Sequence, residues 1–443
     1  MDVEEYARRG LALGTDERTL ERDLAGQILR IKNTRADYAA RFARAVIEEA
    51  KNARGLTGDF FSFEPAGVGM GEFGVGSRGR GDFFAHRQIA RIIGTTSASV
   101  GVDEMDDAGA VVSDGGKYIV CTVDGMHSRL SDYPFLAGFH VTRATLRDAY
   151  VMGARPVMLF SDIHVADDGD VAKIFDYTAG ITTVGEAMNV PLVTGSTLRI
   201  GGDMVLGSRL TGCVGAVGVA EHLTARRETQ PGDVLLMTEG AGGGTIATAA
   251  IYSGFPEVVE QTINLNFLTA CETLMKSPVF TQIHAMTDVT NGGLRGDAFE
   301  MAETAKCRIV IDEADIGSLV QPQVKEMLEV LQIDYLGVSL DSLLVVAPAA
   351  AAGEICCVIG SAGVTMKQVG HVEAGKAEAV LRVGGKDLDF SPRFRESAYT
   401  PVKKVADTET RDFEEMKAGV LQASEAAIRK KERVLAKLAG RTL

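Results

Sequence analysis

Apolar positions recur at helical spacing near the start of the chain: Leu20, Leu24, Ile28 and Ile31, then Tyr38, Phe42, Ala45 and Val46, with charged residues between them. The pattern predicts a helical extension over 1–58 that packs one face on a partner surface. A second stripe, Phe413, Met416, Val420, Ala423, Ala427, Val434 and Leu438, predicts a long helix from about Thr408 to Leu438, stopped by Gly440. Between the ends the period changes. Strand-like runs stand at 110–112, 118–123, 156–163, 191–194 and 204–219, and helical runs at 82–93, 135–152 and 171–188. Residues 221–232 are polar and turn-rich and mark a boundary. Beyond them strands are expected at 234–238, 308–311, 342–347 and 364–371, and helices at 245–253, 258–275 and 294–305. Residues 390–404 read as irregular. Strands and helices mix without a strict βαβ alternation, which predicts an α+β fold. The expected units are 1–58, 59–220, 221–380 and 381–443.

Composition narrows the class. The chain has 46 Lys and Arg against 60 Asp and Glu, so its net charge is −14. That balance excludes a general nucleic-acid or anionic-membrane surface but leaves room for a local cationic pocket. The longest apolar stretch, 343–364, is interrupted by Pro348, Gly353 and Glu354 and falls short of a membrane span. The first residues carry no basic and apolar leader, and six scattered Cys without a C-x-x-C pair read as buried thiols. A cytoplasmic protein is expected.

Two features bear on chemistry. Residues 67–81 form a glycine-rich run that contains Gly76, Ser77, Arg78, Gly79, Arg80 and Gly81 and leads through Asp82 into a helix. Glycine lets successive amides point inward to hold phosphate, and the run fits neither a P-loop nor a dinucleotide-binding turn. A flexible linker is the other reading, and both stay open at this level. The second feature is a set of carboxylates at strand ends and on a helix: Asp103, Glu104, Asp106, Asp107, Asp124, Asp148 and Asp288. Such hard ligands suit Mg²⁺ bridging nucleotide phosphates, while each Asp alone also serves as a turn former or cap. His127 follows Asp124 closely enough to contact a substrate or act as an acid or base, or to make an ordinary polar contact. The remaining histidines lack ligand spacing.

Taken in order, six segments resemble the aminoimidazole-ribonucleotide synthetase superfamily. Met105-Asp106-Asp107-Ala108-Gly109-Ala110-Val111 resembles its G-D-D-A-A-V, and Thr122-Val123-Asp124-Gly125-Met126-His127 its T-D-G-V-H. The run from Asp148 to Pro156 is similar to D-L-A-x-M-G-A-x-P, and Gly195-Ser196-Thr197 stands where the family has G-[DE]-T. Pro231-Gly232-Asp233 opens a P-G-D-x-L-x-L-T segment, and Met286 to Leu294 resembles M-x-D-x-T-x-G-G-L. The superfamily includes thiamine-monophosphate kinase, selenophosphate synthetase and the hydrogenase maturation protein HypE.

The resemblance implies a two-domain PurM-like fold. Its amino-terminal mixed sheet would join that of a second copy in a dimeric barrel, with an α+β second domain and extra helices at both termini. It implies ATP as cofactor and Mg²⁺ held by Asp106, Asp107, Asp124, Asp148 and Asp288. Gly76, Ser77, Gly79, Gly81 and Asp82 become the phosphate lid, Thr197 a further nucleotide contact, and Arg78, Arg80 and His127 the catalytic candidates. The implied activity is that of an ATP- and Mg²⁺-dependent phosphotransferase or ligase-type enzyme, homodimeric, that activates an oxygen of a small-molecule or carboxamide substrate. The alternative is a nucleotide-binding regulatory or scaffold protein without turnover. Departures set expectations too. The glycine run has no Cys, as selenophosphate synthetase requires, and the chain closes Gly440-Arg441-Thr442-Leu443 rather than on the reactive Cys of HypE. Ser196 replaces an acid, and Thr145 and Arg147 stand where the family has Asn near the helix Asp. These departures argue against the selenophosphate synthetase and HypE reactions, weaken the thiamine-monophosphate kinase reading and leave the substrate open.

Overall fold

A computed structural model describes residues 1–396, 398–407 and 411–440. Two sheets organise it. The first holds β1 (Gly109–Val112), β2 (Tyr118–Gly125), β3 (Arg155–Val165), β4 (Leu192–Arg199) and β5 (Leu210–Ala220) in the order β1-β2-β5-β3-β4. Only β3 and β4 run parallel. The second holds β6 (Asp233–Thr238), β7 (Ala285–Val289), β8 (Arg308–Asp312), β9 (Ser342–Pro348), β10 (Met366–Glu373), β11 (Glu378–Val383) and β12 (Lys386–Asp389) in the order β12-β11-β8-β10-β6-β9-β7. There β8 and β11 are the parallel pair. The architecture is α+β.

The burial pattern explains the layering. β6, β7 and β9 are nearly continuous apolar runs and are buried along their length, because both sheet faces are covered. Helix Pro134–Val151 starts at a proline suited to the first turn and is buried on most sides. One core runs from the first sheet through this helix (Leu146, Tyr150) to Met286, Leu343 and Val345 of the second sheet. A second core fills the other face of the second sheet around Leu235, Leu294 and Met301. The face of the first sheet turned away from its helices is apolar and open: Val111 is 43%, Ile119 39% and Val123 60% exposed.

The amino-terminal extension is three helices, Val3–Ala12, Glu17–Lys32 and Ala36–Asn52, with a core of their own that includes Leu20, Leu24 and Ile28. It is tied to the first domain by Lys32, which reaches Asp167 and Asp168. The backbone also joins, Val3 N–H donating to the Met204 carbonyl at 2.9 Å. This explains one departure from expectation. Residues 204–206 open the strand expected over 204–219, but their backbone is taken by the first residues of the sequence, and β5 begins only at Leu210. A second departure is at 258–275. A 3₁₀ turn over Pro256–Thr262 and a helix over Asn266–Met275 replace one helix, because the Arg143 guanidinium takes the carbonyls of Thr262 and Asn264 at 2.6 and 2.7 Å.

The carboxy-terminal segment returns across the front of the molecule. The stretch read as irregular holds a short helix, Pro401–Ala406, and the long helix covers Phe413–Leu438. Its expected start at Thr408 and the chain end Arg441–Leu443 lie outside the described residues. The cysteines depart from expectation: Cys271 and Cys307 are buried, while Cys121 and Cys357 are exposed. Among the described residues no helix is long and apolar enough to cross a membrane.

Candidate active site

A cavity of ≈ 700 Å³ opens between the first sheet, the second domain and the glycine-rich loop. That volume is in the range of small-molecule sites. Local structure aims the side chains into it. On β2, period-2 alternation puts Thr122 and Asp124 on the face towards helix Pro134–Val151, opposite the open face that carries Val123. Asp148 sits in the last turn of that helix and accepts from the Thr122 hydroxyl at 2.9 Å. Arg143 and Arg147, one helical turn apart on the same helix, share a face and meet on Asp341. Asp288 comes from β7, and Asp106 and Asp107 from the turn before β1.

Two buried arginine clusters hold this set. Arg147 Nε donates to Asp288 Oδ2 at 2.9 Å, and both Arg147 and Arg143 pair with Asp341. Arg226 is fully buried and binds Asp107 Oδ1 at 2.7 Å, Glu300 Oε2 at 3.0 Å, the Thr287 hydroxyl at 2.7 Å and the Met105 carbonyl at 2.9 Å. Its backbone N–H donates to Asp106 at 2.9 Å. Arg78 joins from the loop, its guanidinium 2.7 Å from Glu300 Oε2. The loop closes this tightly because Gly292, with φ 95°, has no side chain; a Cβ there would stand 2.7 Å from that of Arg78. Gly292 also caps the helix Gly293–Ala305 that carries Asp297 and Glu300.

Burial dominates the titration of the acids. It pushes Asp107 up to about 7 against the pull of Arg226, with Asp288 and Asp106 adding repulsion. It pushes Asp124 up to about 6 against Arg147, with Asp288 again repelling. Asp148 is held well above the usual carboxylate range by burial and then by Asp124 and Asp288, and burial also raises Asp106. Burial, then the charge of Lys403, lowers His127 to about 4. The His127 ring stands 3.0 Å from the Thr245 hydroxyl, which in turn donates to Asn291 at 2.8 Å.

Of the residues singled out from the sequence, the structure brings Gly76, Arg78, Asp82, Asp106, Asp107, Asp124, His127, Asp148 and Asp288 to the cavity wall. It places the others elsewhere. Arg80 turns outward over the Phe413 ring, 5.5 Å from its centroid. The Ser77 hydroxyl donates to the Gly74 carbonyl, and Gly79 and Gly81 press against backbone of Phe394 and Phe73. Thr197 lies on the exposed edge strand β4. Asp82 is buried and accepts from the amides of Gly76 at 3.0 Å and Arg78 at 2.7 Å, so a carboxylate of the protein itself takes those two loop donors. Among the described residues no three His, Cys, Asp or Glu side chains are grouped to hold a metal ion by themselves. Sequence reading missed Arg226, Asp297, Glu300, Arg143 and Asp341. Only Arg226 had a local signal, a basic pair inside a polar turn, and it reads as surface.

Residues 105–220 match the N-terminal domain and residues 230–382 the C-terminal domain described as AIR synthase related protein. An uncharacterized protein of Methanocaldococcus jannaschii is 52% identical across 98% of this chain and 98% of its own length. A selenide, water dikinase of Myxococcus xanthus is 31% identical across 48% of this chain and 60% of that enzyme. Among solved structures, the hydrogenase maturation protein HypE in complex with ATP aligns with a TM-score of 0.52 at 17% identity, across 62% of this chain and 85% of that one. At that identity the likeness is one of fold.

Proposed function

The chain belongs to the AIR synthase related protein family, and from that premise we propose that it is an ATP- and Mg²⁺-dependent phosphotransferase or ligase-type enzyme. Its acceptor is a small molecule or carboxamide whose oxygen it activates by phosphorylation. The observation that carries this reading is the convergence of Asp106, Asp107, Asp124, Asp148 and Asp288 with Arg78 on one cavity. Relatives include a dikinase and a HypE that binds ATP, which supports it.

The residues present fit a divalent ion. Asp124 and Asp148 stand on the cavity wall without an ion pair among the described residues, and burial, with repulsion from Asp288, holds both above the usual carboxylate range. Hard oxygen donors lacking positive charge are what Mg²⁺ seeks, and it commonly takes one or two carboxylates and completes its shell with phosphate oxygens. Asp124 and Asp148 would hold it, with Asp288 beside them on Arg147, and when bound it supplies neutralisation of the phosphates. Arg78, anchored on Glu300, places a fixed cation at the mouth of the site. Arg147 and Arg226 keep Asp288 and Asp107 oriented. His127, neutral at physiological pH, is suited to hydrogen-bond the acceptor rather than to carry a proton. The working unit is a homodimer joined through the open apolar face of the first sheet.

A second reading has one observation in its favour. Asp288 and Asp107 are already paired with protein cations, as suits a nucleotide sensor without turnover. ADP formation from ATP and Mg²⁺, followed across an acceptor panel, separates the two. Acceptor-stimulated ADP release supports the enzyme; binding with no ADP under any acceptor leaves the sensor.

A further inference from the structure

The motif carboxylates Asp106, Asp107, Asp124, Asp148 and Asp288 all line the cavity, which is more than one Mg²⁺ commonly uses. The protein's own donors have claimed part of the set. The Arg226 guanidinium takes Asp107 at 2.7 Å, and its backbone N–H takes Asp106 at 2.9 Å. Arg147 Nε takes Asp288 at 2.9 Å, which leaves Asp124 and Asp148 without an ion pair among the described residues. The two arginines differ in place. Arg226 is fully buried behind the wall, whereas Arg147 is itself a buried wall residue, and it departs from the family motif, which has Asn near the helix Asp. Its position is fixed. Arg147 Nη1 pairs with Asp341, whose backbone is left-handed, with φ 58°, and whose N–H donates to the Val289 carbonyl at 3.0 Å, next to Asp288 on β7. Arg143 holds the other oxygen of Asp341 and is tied to the Gly242 carbonyl at 2.9 Å. The Nη2 group of Arg147 makes no hydrogen bond among the described residues. Arg78, also on the wall, spends its charge on Glu300 at 2.7 Å. Its glycine-rich loop is clasped by the carboxy-terminal arm: Arg80 N–H donates to the Arg393 carbonyl at 3.0 Å, and Arg395 to the Glu72 carbonyl at 2.5 Å.

We propose that Arg147 takes the place of a second divalent ion: the site binds a single Mg²⁺, on Asp124 and Asp148, and the free Nη2 group of Arg147 donates to a phosphate oxygen beside it. This deepens the preceding reading and rests on its assignment of the cavity to Mg²⁺-ATP. Where two metal ions serve a transferred group, each neutralises oxygens on its own side. A guanidinium held on one carboxylate by Nε and on another by Nη1 supplies a permanent charge there, with a planar donor left over for phosphate. The charges favour one ion. Asp124, Asp148, Asp288 and Asp341 face Arg143 and Arg147, and the two negative charges left over are what one divalent ion neutralises. A second ion on Asp288 would have to displace Arg147 from Oδ2 or sit beside its like charge.

The test counts ions on the full chain saturated with a non-hydrolysable ATP analogue. Mn²⁺ is the probe, free Mn²⁺ is read by electron paramagnetic resonance, and ions held with micromolar affinity are counted. Wild type and Arg147→Lys are expected to bind one Mn²⁺ per chain. Arg147→Asn uncovers Asp288 while Arg143 still covers Asp341, and is expected to bind two. An ion pair of purely structural use would lower the thermal stability of Arg147→Asn and leave its count at one. Asp288→Asn keeps the test open should Arg147→Asn fail to fold: it is expected to keep one Mn²⁺ with affinity within about threefold of wild type. Two ions on wild type, one on folded Arg147→Asn, or a tenfold loss of Mn²⁺ affinity in Asp288→Asn overturns the proposal and leaves the nucleotide reading standing. Failure of wild type to bind both the analogue and Mn²⁺ overturns the nucleotide reading, and this proposal with it.

Discussion

His127 and Arg226 show what a single position can and cannot reveal. His127 was marked by its place after Asp124, and the structure makes it a buried imidazole lowered to about 4 by burial and then by Lys403. Its folded value lies below the ordinary one, so the unfolded chain takes up a proton first as the pH falls. His127 therefore contributes stability that is fully present above about pH 6.5 and lost towards pH 4, at most about 3 kcal/mol. The raised Asp107 and Asp124 work in the opposite direction over part of that range, so the ring itself is the better probe. Its NMR resonances are expected to stay those of neutral imidazole from pH 8 to pH 5; a midpoint near 6.5 would contradict the burial described. The motif carboxylates were legible because each sits beside a strand end or in a helix turn with its neighbours in order. Arg226 was not. Its partners Asp107, Thr287 and Glu300 are far away in the chain, and nothing local distinguishes it from a solvated arginine. The same holds for Asp341, which matters only because Arg143 and Arg147 project from one helix face.

The elements with a clear period formed as expected: the helix over 134–151, strands β1, β2 and β3 of the first sheet, and the apolar runs of β6 and β9. Errors arose where tertiary contacts claim the backbone, at 204–206 and at 262–264. The glycine-rich loop is the instructive case. Composition suggests mobility, yet the arm fixes it. A Cβ at position 79 would meet the Phe394 carbonyl oxygen at 2.3 Å and that of Arg393 at 2.7 Å, so glycine is required for close approach rather than for flexibility. Gly79→Ala is expected to push the arm off the loop at a cost of about 1–3 kcal/mol. Limited trypsin digestion should then cut faster after Arg393 and Arg395. An unchanged cleavage rate with unchanged thermal stability would show that the arm does not clasp the loop.

At the scale of the molecule, the length pointed to several structural units and the acidic balance away from a general nucleic-acid surface. Among the described residues, the open face of the first sheet exposes Val111, Ile119 and Val123 in one chain. Isologous packing of two such faces would bury Val111, Ile119 and Val123. Sedimentation is expected to give a dimer that Val123→Glu dissociates; a wild-type monomer at micromolar concentration would refute the homodimer. The central claim is that the carboxylate cavity holds Mg²⁺-ATP. It is tested most directly by calorimetric titration of ATP into wild type and Asp124→Asn, each with and without Mg²⁺. The account predicts Mg²⁺-dependent binding to wild type that weakens at least tenfold in Asp124→Asn. Absence of binding, or equal Mg²⁺-dependent affinity in the two proteins, would contradict it.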